Sequence, residues 1–210
     1  SVTPRTTEDE PKPDSKASKL SRGVAALAYR NYRLFFVGQL ISVTGTWMQS
    51  LAQSWLVVDI LNASAFQLGL VNVFQFGPAL LLGIPAGLLA DKIPKRNLMV
   101  GTQTIFGLLA AILSFLVFTD RAELWHVYLL AGIFGITNAF DMPARQAFVS
   151  EMVGKDALMN AIALNSAMFN TGRILGPAVA GVILATFGPA ICFAINAVSY
   201  LAVISGLLMM

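Results

Sequence analysis

The chain has 210 residues, 56% of them hydrophobic and 12% charged, with a mean hydropathy of +0.70 and a formal net charge of +3. Soluble domains carry about 45–50% apolar and about 25% charged residues, so this composition excludes an ordinary water-soluble globule. One cysteine, Cys192, excludes an intrachain disulfide, and one histidine, His126, beside it leaves no Cys/His metal framework.

Ser1 to about Gly23 is polar, holds Pro4, Pro11 and Pro13 and mixes both charge signs, which predicts a disordered tail over 1–23. No short apolar core with a cleavage site follows its charges, so it is not a signal peptide. Val24 to Arg33 mixes Ala25, Ala26 and Leu27 with Tyr29, Arg30, Tyr32 and Arg33, the composition of a helical entry lying at headgroup depth. Six apolar stretches follow, each near the roughly 20 residues that cross a bilayer core as a helix. They are predicted over 34–58, 68–90, 98–118, 125–150, 157–187 and 190–210, making 24–210 one six-helix transmembrane bundle. Charged or Gly-Pro punctuation separates them: Asp59 to Ser64, Asp91 to Arg96, Asp120 to Glu123, Gly154 to Asp156, and Gly188-Pro189. Pro143 is expected to kink the fourth span. Cys192 falls inside the last span as packing, and His126, between Trp125 and Tyr128, reads as an interfacial residue.

The pI near 9.2 does not mark a nucleic-acid partner, because the basic residues stand between apolar stretches and not in a patch interleaved with aromatics. Seven Lys and Arg precede or open span one, three follow span two, and Arg145 and Lys155 end span four; the opposite side has only Arg121. The N-terminus is therefore expected in the cytoplasm, as is the C-terminus after an even number of spans.

Polar residues inside the spans need a reason. Ser42, Thr46, Gln49 and Gln53 form a row at helical spacing on span one, extended inward by Gln39, and are predicted to line a central cavity. Asn72 and Gln75 on span two and Asn138 on span four join them as cavity candidates; interhelical hydrogen bonding, worth on average about 0.6 kcal/mol, is the competing role. Arg173 falls near the centre of span five, where insertion of a charge costs roughly 2.5–3.5 kcal/mol, so it is expected to face a polar interior. Its candidate partners are an anionic substrate or a carboxylate from a second half; packing against backbone carbonyls is the structural alternative. Asp141 and Arg145, four residues apart in the favourable order, are expected to form an ion pair near the cytoplasmic side.

At the cytoplasmic end of span two, Gly87 to Arg96 resembles the loop signature Gly-x-x-x-Asp-Arg/Lys-x-Gly-Arg/Lys-Arg/Lys of the major facilitator superfamily. Gly87, Asp91, Lys92, Lys95 and Arg96 match, and Pro94 replaces the second glycine, which stiffens the loop. Gly83 and Gly87 make a small-xxx-small face suited to close helix approach, and Asp91 is placed to close an ionic latch in one conformation and release it in another. In span five, Gly172, Gly176, Pro177 and Gly181 resemble the Gly-Pro motif of the superfamily's antiporters, with Ala163 and Ala180 where that motif carries further glycines. The fourth-helix arginine four residues before Gly135 is absent, Ala131 standing in its place, so that pattern's route for protons is not carried over. Gly77-Pro78-Ala79 and Gly176-Pro177-Ala178 recur in the middle helices of two three-helix units that run in opposite directions, as an inverted repeat would.

The resemblance, which covers Ala28 to Met210 and is nearest in style to siderophore and drug exporters, implies an all-α integral membrane fold. That fold is six transmembrane helices in a 3+3 inverted repeat, one half of the major facilitator architecture. It implies a secondary active transporter in a bacterial cell membrane, exporting a small molecule, with an anion as candidate, by proton antiport. Its partners would be lipid, the substrate, the proton and a second six-helix half. An importer of the same fold, a non-transporting scaffold or sensor, and an inactive half-transporter fragment are the alternatives. An enzyme is not expected: no nucleophile triad, carboxylate pair, phosphate loop or metal set occurs, and no cofactor is called for.

Overall fold

A computed structural model describes residues 25–210; the tail expected over 1–23 lies outside the described residues. All regular structure there is helical. After a single turn at Ala25–Ala28 come α1 (Arg30–Trp55), prolonged by a π-turn at Leu56–Ile60, α2 (Ala65–Ala90) and α3 (Lys95–Phe118). A run over Leu124–Phe187 divides into α4 (Leu124–Lys155) and α5 (Ala157–Phe187), and α6 is Pro189–Leu208.

The boundaries follow from local chemistry. Ser64 opens α2 with a capping box: its hydroxyl accepts from the Gln67 amide at 3.3 Å while the Gln67 side chain accepts from the Ser64 amide at 2.8 Å. Gly154, at φ +64°, carries the only non-helical backbone between Leu124 and Phe187, and Gly188, at φ +80°, ends α5 before Pro189 at the start of α6. The helix continues through Pro143, as expected of the fourth span, and turns at Gly154, where a glycine can take a left-handed φ without side-chain strain.

Five helices, α2 to α6, are long and apolar enough to cross a membrane. The first is not, although at 26 residues it equals α2 in length. Its polar row lowers its mean hydropathy, and it does not need a lipid-facing composition because it lies between α5 and α6. A Cβ at Gly38 would come within 3.0 Å of Ala202 O, and at Gly45 within 2.5 Å of Asn196 Oδ1. On its other side Gly172 and Gly176 admit it to α5, where a Cβ at Gly176 would lie 2.6 Å from Trp47 Cβ and 2.7 Å from Thr44 O. Gly135 does the same for α4 against α2, at 2.6 Å from Gln75 O. Small residues set these crossings because dispersion between closely approached backbones replaces the hydrophobic drive that lipid removes.

Two expectations fail. Gly83 and Gly87 receive no close helix: a Cβ on either would meet nothing within 4 Å, because α2 turns that face outward. Tyr32 is not an interfacial anchor; it is buried, and its hydroxyl donates to Ala161 O of α5 at 3.1 Å, while Tyr29, Arg30 and Arg33 stay exposed. The entry turn is tied to the same helix by Ala26 N donating to Asn160 Oδ1 at 2.9 Å. Gly176→Ala is expected to destabilise the bundle by about 1–3 kcal/mol through overpacking, read as a lower melting temperature in detergent. Gly101→Ala, where a Cβ meets nothing within 4 Å, should melt no lower than wild type, and equal melts for the two variants would remove the α1–α5 contact.

Candidate functional site: a polar cavity among six helices

The polar face of α1 looks into a cavity of about 310 Å³ that takes side chains from all six helices. Ser42, Thr46, Gln49 and Gln53 line it, joined by Gln75 of α2 and Asn138 of α4. Aromatic rings make the rest of the wall, among them Trp47, Phe76, Phe106, Phe134, Phe169 and Tyr200. Amides and hydroxyls fix the wall by bonding to one another: Gln53 donates to Gln75 Oε1 at 3.2 Å, Asn196 of α6 donates to Gln49 Oε1 at 2.6 Å, and Thr46 and Tyr200 share a hydroxyl pair at 3.1 Å.

Asp141 and Arg145 are in contact, Arg145 Nη2 donating to Asp141 Oδ2. The carboxylate is 0% exposed, so it needs more than one donor. Thr102 Oγ1 and Gln103 Nε2 of α3 supply them, reaching Asp141 Oδ1 at 2.6 and 2.9 Å. The guanidinium lines the cavity with its side chain 17% exposed, donates through Nη1 to Gln39 Oε1 at 2.9 Å, and stands 6.0 Å from the centre of the Phe169 ring. One cluster thus joins α1, α3 and α4.

In the loop after α2 the three cations of the signature take different partners. Lys95 Nζ lies 3.2 Å from Asp91 Oδ1 and 2.8 Å from Ala90 O; the Lys95 side chain is 11% exposed and that of Asp91 75%. Arg96 turns away, donating from Nε to Leu207 O at 2.6 Å and from Nη2 to Leu208 O at 3.1 Å, so it caps the end of α6. Lys92 is exposed.

Arg173 corrects the expectation of a cavity residue. It is exposed on the outside of α5, with its guanidinium carbon 5.9 Å from the centre of the Trp47 ring, and takes no part in the cavity wall. The cause is angular: Gly172 and Gly176 turn toward α1, and Arg173, one residue on from Gly172, is carried about 100° around the helix. Asn72 is also exposed, donating to Leu68 O of its own helix at 3.1 Å, while Gly181 meets nothing within 4 Å. Sequence reasoning gave no role to Thr102, Gln103, Tyr200 or Asn196. The polar run Thr102-Gln103-Thr104 was the one signal in this span, and it does not by itself say that a carboxylate sits opposite. Among the described residues, no group of three or more His, Cys, Asp or Glu could hold a metal ion.

A multi-pass helical bundle enclosing a polar, aromatic-walled cavity is the architecture of a membrane transporter. The chain belongs to the major facilitator superfamily: residues 21–210 match the family described as transmembrane secretion effector. It is similar to the staphyloferrin A transporter of Staphylococcus aureus, 32% identical over 80% of this chain and 42% of that protein. It is also similar to the multidrug efflux pump Tap of Mycolicibacterium fortuitum, at 28% over 74% of this chain and 39% of the pump. The enterobactin exporter of Shigella flexneri is 26% identical over 76% of this chain and 38% of the exporter. The chain spans about two fifths of the length of these relatives. No solved structure matches it. Members of this family are transporters embedded in the cell membrane and not enzymes.

The buried pair sets a stability test. Asp141→Leu and Arg145→Leu should each destabilise by about 3–5 kcal/mol, because each leaves an uncompensated charge in the bundle. The double variant should lose clearly less than the sum of the two. Thermal melts of the four proteins measure this, and additive losses would mean that the two side chains do not depend on each other.

Proposed function

We propose that the chain is one six-span half of a secondary active transporter that exports a small molecule by alternating access in exchange for protons, with its N-terminus in the cytoplasm. The observation that carries this reading is the cavity: α1 gives up its lipid-compatible composition to place a polar row there, and all six helices contribute to the wall. Relatives named as exporters and efflux pumps support the outward direction.

Helix order supports a 3+3 inverted repeat. Close contacts run α2–α4, α4–α3, α3–α6, α6–α1 and α1–α5. Exchanging α1 with α4, α2 with α5 and α3 with α6 returns the same order reversed, as a two-fold relation between the units requires. It also leaves α2 and α5 at the two ends of the series. A second six-helix half would meet the outward faces of α2, where Gly83 and Gly87 are open, and of α5, where a carboxylate of that half would pair with Arg173.

Asp91 acts as a latch in this scheme. Its carboxylate has Lys95 as a partner but is 75% exposed, so it is free to engage a helix end of the second half in the state closed to the cytoplasm and to release it when that side opens. Gln53 and Gln75, bridged across α1 and α2, join two helices at the cavity wall. In everted membrane vesicles of cells expressing the full-length protein, an imposed proton gradient should drive accumulation of its substrates. Asp91→Asn should lower that rate about tenfold at equal protein level; accumulation independent of the gradient would remove antiport, and a wild-type rate in Asp91→Asn would remove the latch.

A further inference from the structure

The end of the cavity at Gln39 and Arg145 carries hydrogen-bond donors that nothing in the chain uses. Gln39 is 1% exposed yet lines the cavity. Its amide orientation is fixed by its neighbour: an arginine can only donate, so the Gln39 atom 2.9 Å from Arg145 Nη1 is the oxygen, Oε1. That leaves Gln39 Nε2, a donor, buried and without a partner, and Arg145 Nε is buried and unpartnered as well. Buried donors without acceptors cost about 1–3 kcal/mol each, so two on one cavity wall are an expense the fold accepts for a ligand.

No free carboxylate competes at this end; the unpartnered buried acceptor nearby, Gln103 Oε1, belongs to a residue outside the cavity wall. Both Asp141 oxygens are taken, Oδ1 by Thr102 and Gln103 and Oδ2 by Arg145, and the carboxylate has no exposure to the cavity. A cationic ligand would therefore meet the guanidinium before it could reach Asp141. An anionic one would meet the partly exposed guanidinium, with the two unpartnered N–H groups buried just behind the wall, the Phe169 ring beside the guanidinium, and Asn165 and Gln146 also in the lining.

We propose that Gln39 and Arg145 form an acceptor-binding subsite for a carboxylate or similar oxyanion, carried on an aromatic or otherwise apolar body that rests against the ring-lined part of the cavity. The subsite deepens the transport reading, since it names the substrate class and places the anion contact at Arg145 in place of Arg173. It does not require transport for its detection. Arg145 keeps Nη2 on Asp141 and Nη1 on Gln39, which holds the planar fork oriented between substrate and anchor.

The test is equilibrium dialysis of three probes of one shape against the full-length protein in lipid nanodiscs: 2-naphthoate, its methyl ester and 2-naphthylmethylammonium. Wild type should bind the carboxylate at least tenfold more tightly than either of the others. Gln39→Glu keeps an oxygen for Arg145 Nη1 but replaces the free donor with an acceptor, so it should weaken 2-naphthoate at least tenfold and leave the ester unchanged. Equal binding of the three probes by wild type would overturn the subsite without any variant. Unchanged 2-naphthoate binding by Gln39→Glu would also overturn it and assign the free donors to water. Alternating exposure of a cysteine at Ser42 to the two sides of the membrane tests the transport reading separately. Loss of alternation with the probe ranking retained removes transport and keeps the subsite; the opposite result does the reverse.

Discussion

A carboxylate with no solvent exposure sits among α1, α3 and α4, and much of the bundle is arranged around it. In a medium of low dielectric, an isolated charge of this kind costs several kcal/mol even after relaxation. Asp141 is tolerable because three donors converge on it: a hydroxyl and an amide from consecutive residues of α3 and a guanidinium one turn along its own helix. Consecutive residues lie about 100° apart on a helix, so Thr102 and Gln103 reach the same oxygen only if α3 presents the wedge between them to α4. The charge thereby sets the rotation of α3. Arg145, held by Asp141, in turn reaches Gln39 and sets the rotation of α1, which decides that Ser42, Thr46, Gln49 and Gln53 face the cavity and not α5.

Glycine sets the distances that the charge cannot. Gly172 and Gly176 let α1 approach α5 until Trp47 Cβ occupies the space a side chain would fill, and Gly38 and Gly45 do the same against α6. The Trp47 ring belongs to the cavity wall on one side and stands beneath Arg173 on the other. The inside of the site and the outer surface of α5 are therefore joined through one rigid side chain, clamped at its root by a glycine.

Most of the helical boundaries could be read from the sequence, since apolar runs of this length have few alternatives in a bilayer and Gly-Pro and charged clusters mark their ends. The polar row of α1 was legible for the same reason: four polar residues at helical spacing share one face, and a lipid-facing placement would waste them. The Asp141–Arg145 contact follows from spacing along a single helix, which needs no knowledge of neighbours. Arg173 shows where the method stops. Depth along a helix can be counted in residues, but the side to which a residue points depends on which helix packs against it, and only the contact of Gly172 and Gly176 with α1 turns Arg173 away from the cavity. Gly83 and Gly87 fail in the same way, because small-residue spacing states that a helix could approach and not that one does. Thr102 and Gln103 were missed because each looks unremarkable alone; their meaning lies in the carboxylate opposite.

The loop between α2 and α3 extends the same logic to the bundle's end. Arg96 spends its guanidinium on the last carbonyls of α6, groups that a helix leaves without intrahelical donors. Lys95 covers the last carbonyl of α2 while neutralising Asp91. Two neighbouring cations therefore fasten the ends of two helices, while Lys92 and the Lys95-paired Asp91 stay exposed. Pro94 fits this division: with its φ fixed, it starts α3 at Lys95 and holds the two cations at constant angles to the helix ends they cap. The residue that departs from the superfamily pattern thus stiffens the turn between the two capped helix ends.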